Sequence, residues 1–148
     1  MHVRLARESD RDVVLSLYRE LRPNDPVLPS EKASEFWSKV NDAPASQIIV
    51  AEYEGLVGAT CMLALIANIA SEGRPIGFIE HVVTAQSFRR KGLGEACLRY
   101  AVETGWKLGC CKVVLLSGVQ RPEAHGVYEK VGFCGDVERG FVIKRPRP

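Results

Sequence analysis

The stretch Val-Val-Thr-Ala-Gln-Ser-Phe-Arg-Arg-Lys-Gly-Leu-Gly-Glu, at residues 82–95, decides the predicted fold of this chain. A β-rich run ends at Thr84, and from Gly92 onward apolar residues recur at helical spacing, so the stretch joins a strand to a long helix. Backbone amides at a helix start lack partners and lie at the positive end of the macrodipole, and glycine lets an anion approach them closely. Three basic residues before Gly92 add charge. The junction therefore predicts a site for a phosphate or pyrophosphate.

Two common phosphate-binding motifs do not match this junction. The Gly-Lys-Ser/Thr of nucleoside triphosphatases does not follow it, and the third glycine of the dinucleotide-binding motif is missing. The alternative interpretation is a solvated basic turn that leads into a helix, because short glycine motifs recur by chance.

The pattern of the remaining sequence predicts one α+β domain at residues 1–148. Helices are predicted over residues 9–21, 30–40, 92–109 and 124–131, and strands over residues 2–6, 47–53, 56–67, 76–84, 112–116, 133–134 and 139–144. The run at 112–116 is continuously apolar, which is typical of a strand buried on both sides. The order βααβββαβαββ predicts a mixed, mainly antiparallel sheet with helices packed on it.

Composition excludes several classes of protein. The 148 residues suffice for a single core. The longest apolar run, at residues 56–70, is interrupted by Gly58, Thr60 and Asn68, so we expect neither a membrane-spanning helix nor a membrane partner. The net charge of +2 is too small to indicate a nucleic-acid partner, and the basic tail at residues 144–148 is interpreted as a solvated end.

The cysteines indicate a reducing compartment. There are five, the adjacent pair Cys110 and Cys111 is a poor disulfide, and no leader precedes Val3. We therefore expect a cytoplasmic protein whose cysteines act as small buried hydrophobic residues. The His and Cys residues lack the spacing of a zinc site, so no metal is expected.

Two motifs resemble those of the GNAT superfamily of N-acetyltransferases. Arg-x-x-Gly-x-Gly at residues 89–94, after a strand, resembles the superfamily's acetyl-CoA pyrophosphate loop. Tyr-Glu-Lys-x-Gly-Phe at residues 128–133 resembles its second signature, and the predicted element order is similar over nearly the whole chain. The resemblance implies the GNAT fold, acetyl-CoA as cofactor and CoA as product.

The resemblance also assigns residues to the cofactor. It places the pantetheine arm along the strand edge at residues 82–84, where backbone amides polarise the thioester carbonyl. In most members an Asn seven residues before the tyrosine contacts the cofactor; here that position is Arg121, which suits a phosphate or the anion of the acceptor. The expected cofactor-binding residues are Val82, Val83, Thr84, Arg89, Arg90, Lys91, Gly92, Leu93, Gly94 and Arg121.

Acetyl transfer needs a neutral amine, a polarised carbonyl and a protonated or stabilised thiolate. Tyr128 matches the superfamily's tyrosine near the sulfur and is the candidate acid; the alternative is a core residue. Glu80 is the candidate base, because a carboxylate in an apolar strand is costly without a function or a partner; the alternative is a strand-edge ion pair. His81 is second, because alternation places it on the opposite face of the sheet.

Local similarity indicates two classes of acceptor. Residues 77–83 and 109–115 look like those of glucosamine-6-phosphate N-acetyltransferases, whereas residues 118–125 are similar to aminoalkylphosphonate acetyltransferases. In relatives the loop between the first two helices frames the acceptor. The resemblance therefore implies an acceptor site at Arg22, Asn24, Asp25 and Glu80, with Arg74 or Arg121 as further candidates for the anion.

The sequence thus predicts an enzyme that moves the acetyl group of acetyl-CoA directly to the primary amine of a small, polar, anionic acceptor. The alternatives are a protein lysine or N-terminal acetyltransferase and a catalytically silent acyl-CoA-binding module. Retention of Glu80 and Tyr128 disfavours the silent module, since binding alone needs neither. We also expect a homodimer, with Trp37 and Trp106 in the core or the dimer surface.

Overall fold

The computed structural model describes all 148 residues and is built on one five-stranded sheet. The strands lie in sequence order across it: β1 (His2–Leu5), β2 (Ser46–Tyr53), β3 (Leu56–Ile66), β4 (Ile76–Thr84) and β5 (Lys112–Leu115). Neighbouring strands are antiparallel except β4 and β5, which are parallel. A parallel pair requires a long crossover connection, which a helix supplies here.

Four α-helices cover the two faces of the sheet. They are α1 (Arg11–Leu21), α2 (Ser30–Asn41), α3 (Leu93–Lys107) and α4 (Pro122–Val131), with 3₁₀ turns at Glu8–Asp10, Ser71–Gly73 and Gln86–Phe88. α1 and α2 pack on one face, and α3 packs on the other and contacts α4. The α+β class and the element order as far as α4 are confirmed. None of the helices is both long and apolar enough to cross a membrane.

β2 divides the core into two clusters. Because successive side chains of a strand point to opposite faces, Ile49 and Ala51 pack beneath α3, whereas Ile48 and Val50 pack with residues of α1 and α2. Trp37 of α2 belongs to this second cluster and is 4% exposed. Both faces of the sheet are therefore filled, and the predicted core position of Trp37 is confirmed.

A charged cluster fixes the chain between β1 and α1. Arg4 donates hydrogen bonds to Asp10, at 2.7 and 3.1 Å, and to Glu52 of β2. The Asp10 carboxylate also accepts the Arg7 backbone N–H at 2.7 Å. The hydrogen bonds from Arg4 hold the pKa of Asp10 below its ordinary value, so the carboxylate is charged although it is buried. This cluster sets the direction in which α1 leaves the sheet.

The two strands predicted at residues 133–134 and 139–144 are wrong. Residues 132–148 form no strand, and the apolar side chains Phe141, Val142 and Ile143 are exposed by 88%, 67% and 98%. A strand needs a neighbour to pair with, and no strand of the sheet pairs with this segment. The β-propensity of these residues is therefore not enough to make them a strand of the sheet.

Two smaller expectations also fail at this end of the molecule. β5 is not buried on both sides: Lys112 is exposed and the rest of the strand is half-buried, because β5 pairs only with β4 and forms an edge of the sheet. Cys61, Cys97 and Cys110 are buried as predicted, but Cys111 is half-buried and Cys134 is exposed. Trp106 is 52% exposed on α3.

Candidate active site

A cleft opens where β4 and β5 separate. The two strands pair only from Ile76–Lys112 to Ile79–Leu115. β4 then continues to Thr84 with no partner on that side, while the chain turns away after β5. The cleft holds a cavity of about 270 Å³. Its lining residues are Leu21, Arg22, Ile79, Glu80, His81, Val82, Leu115, Leu116, Ser117, Gly118, Arg121 and Tyr128.

A β-bulge in β4 lies at the mouth of this cleft. Val83 pairs with Thr60 and Glu80 pairs with Met62, so three steps along β4 oppose two steps along β3. His81 supplies the extra residue, with a φ of +54°. This left-handed conformation is uncommon for residues other than glycine, although His is among those that tolerate it. The bulge interrupts the ladder between β3 and β4 at residues that line the cleft.

The bulge overturns the expectation that Glu80 and His81 lie on opposite faces of the sheet. Glu80 pairs with Met62, which packs with the α1 and α2 cluster. The His81 ring packs against that of Tyr18 of α1, at 5.1 Å between centroids and tilted by 54°. Val82, by contrast, packs with the cluster beneath α3. Strict alternation fails because the bulge adds one residue. Glu80 and His81 therefore share one face and one cavity.

The site contains a half-buried histidine with a lowered pKa. Burial is the main cause, because it disfavours the charged imidazolium, and the positive charge of Arg22 acts in the same direction. Glu80 and Asp25 act in the opposite direction, since their negative charges favour the imidazolium. The net result is a pKa below the ordinary 6.5, so the ring of His81 is neutral at pH 7.

Two arginines reach the cavity from opposite sides. Arg22 follows the last residue of α1, and Arg121 precedes the first residue of α4; both are exposed and line the cavity. Asn24 and Asp25 were expected to face the acceptor too, but they lie farther along the exposed loop and do not line the cavity.

Arg74 is also outside the cavity. It precedes β4 at the far end from the bulge and pairs with Glu72 at 3.4 Å. The structure therefore places Arg74 away from the cavity that Arg22 and Arg121 line.

Tyr128 closes the cavity from α4. It is 8% exposed, belongs to the core cluster beneath α3 and meets the Phe133 ring edge-on at 6.4 Å. Glu95 of α3 ties the two helices together, since it pairs with Lys130 of α4 at 2.6 Å and with Arg99 at 3.0 Å. The position of the tyrosine is thus fixed by the core below it and by α3 beside it.

The start of α3 has the features of an anion site. Gly92 precedes the helix with a φ of +79°, and no side chain caps the first amides. A Cβ at Gly94 would lie 2.9 Å from Thr84 Oγ1. Glycine at position 94 therefore lets the first turn of α3, with its uncapped amides, lie against the end of β4. At Gly58 a Cβ would overlap Phe88 and Leu93, so that glycine lets the loop before α3 lie against β3.

The basic residues of this loop differ in their surroundings. Arg89 and Arg90 are exposed and form no ion pair. Lys91 Nζ instead lies 4.4 Å from the centroid of the Tyr53 ring and 5.4 Å from that of Phe88. Leu93 is buried, so only its backbone faces the ligand side. Two free guanidinium groups beside uncapped amides fit a pyrophosphate.

Two features of the cleft were missed from the sequence. The bulge at His81 has no sequence signal stronger than the tolerance of His for positive φ. The Ser117 hydroxyl lies buried in the cavity wall without a hydrogen-bond partner in the protein. Nothing in the motif pattern distinguishes Ser117 from other loop serines, because its burial depends on the separation of β4 and β5.

The comparisons with known proteins agree with this arrangement of sheet, cleft and anion site. The model of the Acetyltransferase (GNAT) family matches residues 14–133, and the chain belongs to that family. It is therefore an acetyl-CoA-dependent N-acetyltransferase.

Named relatives fall in the same class. The chain is 28% identical to the glucosamine 6-phosphate N-acetyltransferase of Trypanosoma brucei brucei, over 90% of this chain and 88% of that protein. It is 31% identical to glucosamine 6-phosphate N-acetyltransferase 1 of Oryza sativa subsp. japonica, over 80% and 72%. A solved structure from Agrobacterium tumefaciens str. C58, assigned as an acetyltransferase, superposes with a TM-score of 0.92 at 35% identity, over 98% of this chain and 100% of that one.

Proposed function

We propose that this enzyme acetylates the primary amine of a small acceptor that also carries an anionic group, such as a phosphorylated amino sugar or an aminophosphonate. The observation that carries the proposal is that Arg22 and Arg121 line the same cavity as Glu80 and Tyr128. Guanidinium groups bind phosphate and phosphonate with paired hydrogen bonds, and a carboxylate attracts an ammonium. The names of the curated relatives support an acceptor of this kind.

Glu80 and Tyr128 divide the proton chemistry in this proposal. Glu80 binds the acceptor ammonium and accepts a proton from it, directly or through water. Tyr128 donates its phenolic proton to the CoA sulfur as the carbon–sulfur bond breaks. The unpaired hydroxyl of Ser117 is free to bind a polar group of the acceptor.

The backbone holds the acetyl donor. Residues 82–84 lie on the strand edge that β5 leaves free, so amides of Val82, Val83 or Thr84 are available to polarise the thioester carbonyl. The pyrophosphate rests on the amides of residues 92–94, with Arg89 and Arg90 beside it. Lys91 also binds the pyrophosphate when its ammonium moves away from the rings of Tyr53 and Phe88. Arg121 serves either a cofactor phosphate or the acceptor anion.

The test is an acceptor panel assayed for release of the CoA thiol. It compares glucosamine 6-phosphate, glucosamine, 2-aminoethylphosphonate and a lysine-containing peptide. We expect the two anionic amines to have a kcat/KM at least about tenfold above that of glucosamine, because a charged hydrogen bond to an arginine contributes about 1.5–3 kcal/mol.

The arginines are tested by charge removal. Arg22→Gln and Arg121→Gln should raise the KM for the anionic acceptor, whereas Arg74→Gln, which lies outside the cavity, should not. Acetylation of the lysine peptide alone would contradict the proposal in favour of a protein acetyltransferase. Binding of acetyl-CoA without turnover of any amine would favour a silent module.

We also propose that two copies of the chain associate through the C-terminal tail. Phe141 and Ile143 are almost fully exposed, and the outer edge of β5 carries no neighbouring strand. Exposed apolar residues beside an open sheet edge favour association. A cytoplasmic location is part of the same proposal, since all five cysteines are free thiols.

A further inference from the structure

An ammonium acceptor loses two protons on its way to an amide, and the proposed role of Glu80 accounts for one of them. The cavity contains one other side chain that is neutral at pH 7 and able to take a proton, which is the imidazole of His81. The bulge places it next to Glu80 on the same face of the sheet. This juxtaposition is the basis of the inference, which rests on the proposed function.

We propose that His81 takes the first proton from the acceptor ammonium while Glu80 holds that ammonium and takes the second. The first transfer converts the imidazole to imidazolium and frees the nitrogen lone pair. The amine then forms the carbon–nitrogen bond at the thioester carbonyl carbon, and its second proton passes to Glu80. The carbon–sulfur bond breaks, and the sulfur receives the proton of Tyr128.

The protons balance over the cycle. Glu80 returns its proton to the Tyr128 phenolate through solvent, and His81 releases its own proton to solvent. The net products are the acetylated amine, CoA as the thiol and one proton.

Three features of its surroundings suit His81 to this task. A neutral ring does not repel the incoming ammonium as an imidazolium would, and burial together with Arg22 keeps it neutral. The tilted contact with the Tyr18 ring, at 5.1 Å between centroids, restricts the ring of His81. The negative charges of Glu80 and Asp25 lie close enough to stabilise the imidazolium once it forms.

The backbone conformation offers a competing, purely structural reason for this histidine. A residue with a φ of +54° must be one that tolerates the left-handed region, and Asn and Gly do so as well as His. If the bulge were all that is needed, His81→Asn would preserve function. If the ring contact with Tyr18 were all that is needed, His81→Phe would preserve function. The proposal requires that both variants lose activity.

The kinetic test measures kcat/KM between pH 5 and 8 with the best acceptor of the panel. Protonated His81 cannot accept a proton, so the wild-type value should fall as the pH drops through a pKa below 6.5. His81→Asn and His81→Phe should lose about 10²–10⁴-fold on the neutral plateau, and that inflection should disappear. His2→Asn, on the exposed first strand, is the matched control and should keep both rate and profile.

A second readout does not depend on turnover. The chain has three histidines, so imidazole signals in a nuclear magnetic resonance titration can be assigned with His81→Asn and His2→Asn. The His81 signal should titrate below 6.5 in the free protein. It should move to higher pH in Arg22→Gln and to lower pH in Asp25→Asn, since each removes one neighbouring charge.

The outcomes separate this inference from the proposed function. Turnover of an anionic amine with a wild-type profile in either His81 variant would overturn the role of His81 and leave the proposed function standing. A ring that titrates at or above 6.5 and does not respond to Arg22→Gln would also overturn it. Failure to acetylate any amine would overturn both.

Discussion

Tyr128 is in contact with two different environments. Its ring completes the core cluster beneath α3, and the same side chain lines the cavity. The core and catalytic interpretations of this residue are therefore compatible, because burial fixes the ring while the cleft leaves one side accessible. Burial of this kind holds a catalytic group in one rotamer, which favours a short and well-directed proton transfer.

Replacing Tyr128 by Phe tests this directly. The change removes one hydroxyl and keeps the ring, so we expect turnover to fall about 10²–10⁴-fold while CoA affinity and melting temperature stay nearly constant. Tyr100→Phe on α3, outside the cavity, is the control and should leave turnover unchanged. Thiol release and calorimetric titration with CoA measure the two effects. Near-normal turnover in Tyr128→Phe would show that the residue is only part of the core.

At this scale the sequence predicted which side chains lie together better than how they are oriented. Glu80, Tyr128, Arg22 and Arg121 were candidates from the sequence, and all four line one cavity. The relation of His81 to Glu80 was wrong, because a period of two residues holds only until a bulge inserts an extra one.

At the scale of elements, Gly94 lets the first turn of α3 pack against the end of β4. Gly94 lies against Thr84, the last residue of β4, and no side chain caps the amides there. The helix start is thus held close to the end of the strand that is expected to bind the thioester. This contact couples the two parts of the expected cofactor site.

A methyl group at Gly94 should disturb this contact. Gly94→Ala places a Cβ 2.9 Å from Thr84 Oγ1, so we expect acetyl-CoA to bind at least about tenfold more weakly, a change of about 1.4 kcal/mol. Gly126→Ala in α4 is the control, because no atom lies within 4 Å of its added Cβ. Calorimetric titration measures both. If Gly94→Ala binds like the wild type in a folded protein, the anion site is elsewhere.

The junction of β1 and α1 gives a pH-dependent prediction. Arg4 keeps the pKa of Asp10 in the folded protein below its ordinary value of 3.8. The stability contributed by this carboxylate is therefore complete above that pH and is lost as the pH falls below it. We expect Asp10→Asn to lower the free energy of unfolding by about 1.5–3 kcal/mol at pH 7.

The difference between wild type and Asp10→Asn should shrink when urea unfolding is repeated below pH 3.8. The control is Asp12→Asn, whose carboxylate is 85% exposed and should contribute little at any pH. A difference that is the same at both pH values would mean that the charge of Asp10 contributes nothing to stability.

Helices, strands and turns were predicted well where the spacing of residues within the element itself was enough to define them. The stripes of α1, α3 and α4 and the turn between β2 and β3 all depend on local spacing, which the sequence contains. The strands predicted after α4 depend on a partner strand, and local spacing carries no information about that. The burial predicted for β5 failed for the same reason: β5 has no neighbouring strand on its outer side and is therefore only half-buried.

At the scale of the whole molecule, the two ends of the sheet differ. β1 carries the Arg4 cluster, whereas the apolar tail lies near β5, the other edge strand. Glu138 pairs with Lys112 at 2.9 Å, and a Cβ at Gly140 would overlap Leu116. Residues 141–143 extend beyond this contact and are exposed. The tail exposes apolar side chains and the edge of β5 exposes unpaired backbone groups, and neither is covered within one copy of the chain.

Association through the tail predicts a dimer that one charge can disrupt. Phe141→Asp should shift the mass measured by light scattering from two copies to one, because it places a carboxylate in the apolar contact. Arg145→Asp, also in the tail but outside its apolar segment, controls for charge alone. A wild-type protein that is monomeric at micromolar concentration would contradict the proposed association.

The early separation of β4 from β5 has a consequence for stability as well as for chemistry. The backbone groups of residues 80–84 are missing a neighbour that an uninterrupted sheet would supply. We expect the pantetheine arm of CoA to lie in that gap and its amides to hydrogen-bond to these backbone groups. Hydrogen–deuterium exchange should therefore slow at residues 80–84 when CoA is added, and the melting temperature should rise with CoA concentration. Without a ligand, the sheet is open along residues 80–84 of β4 on the side away from β3.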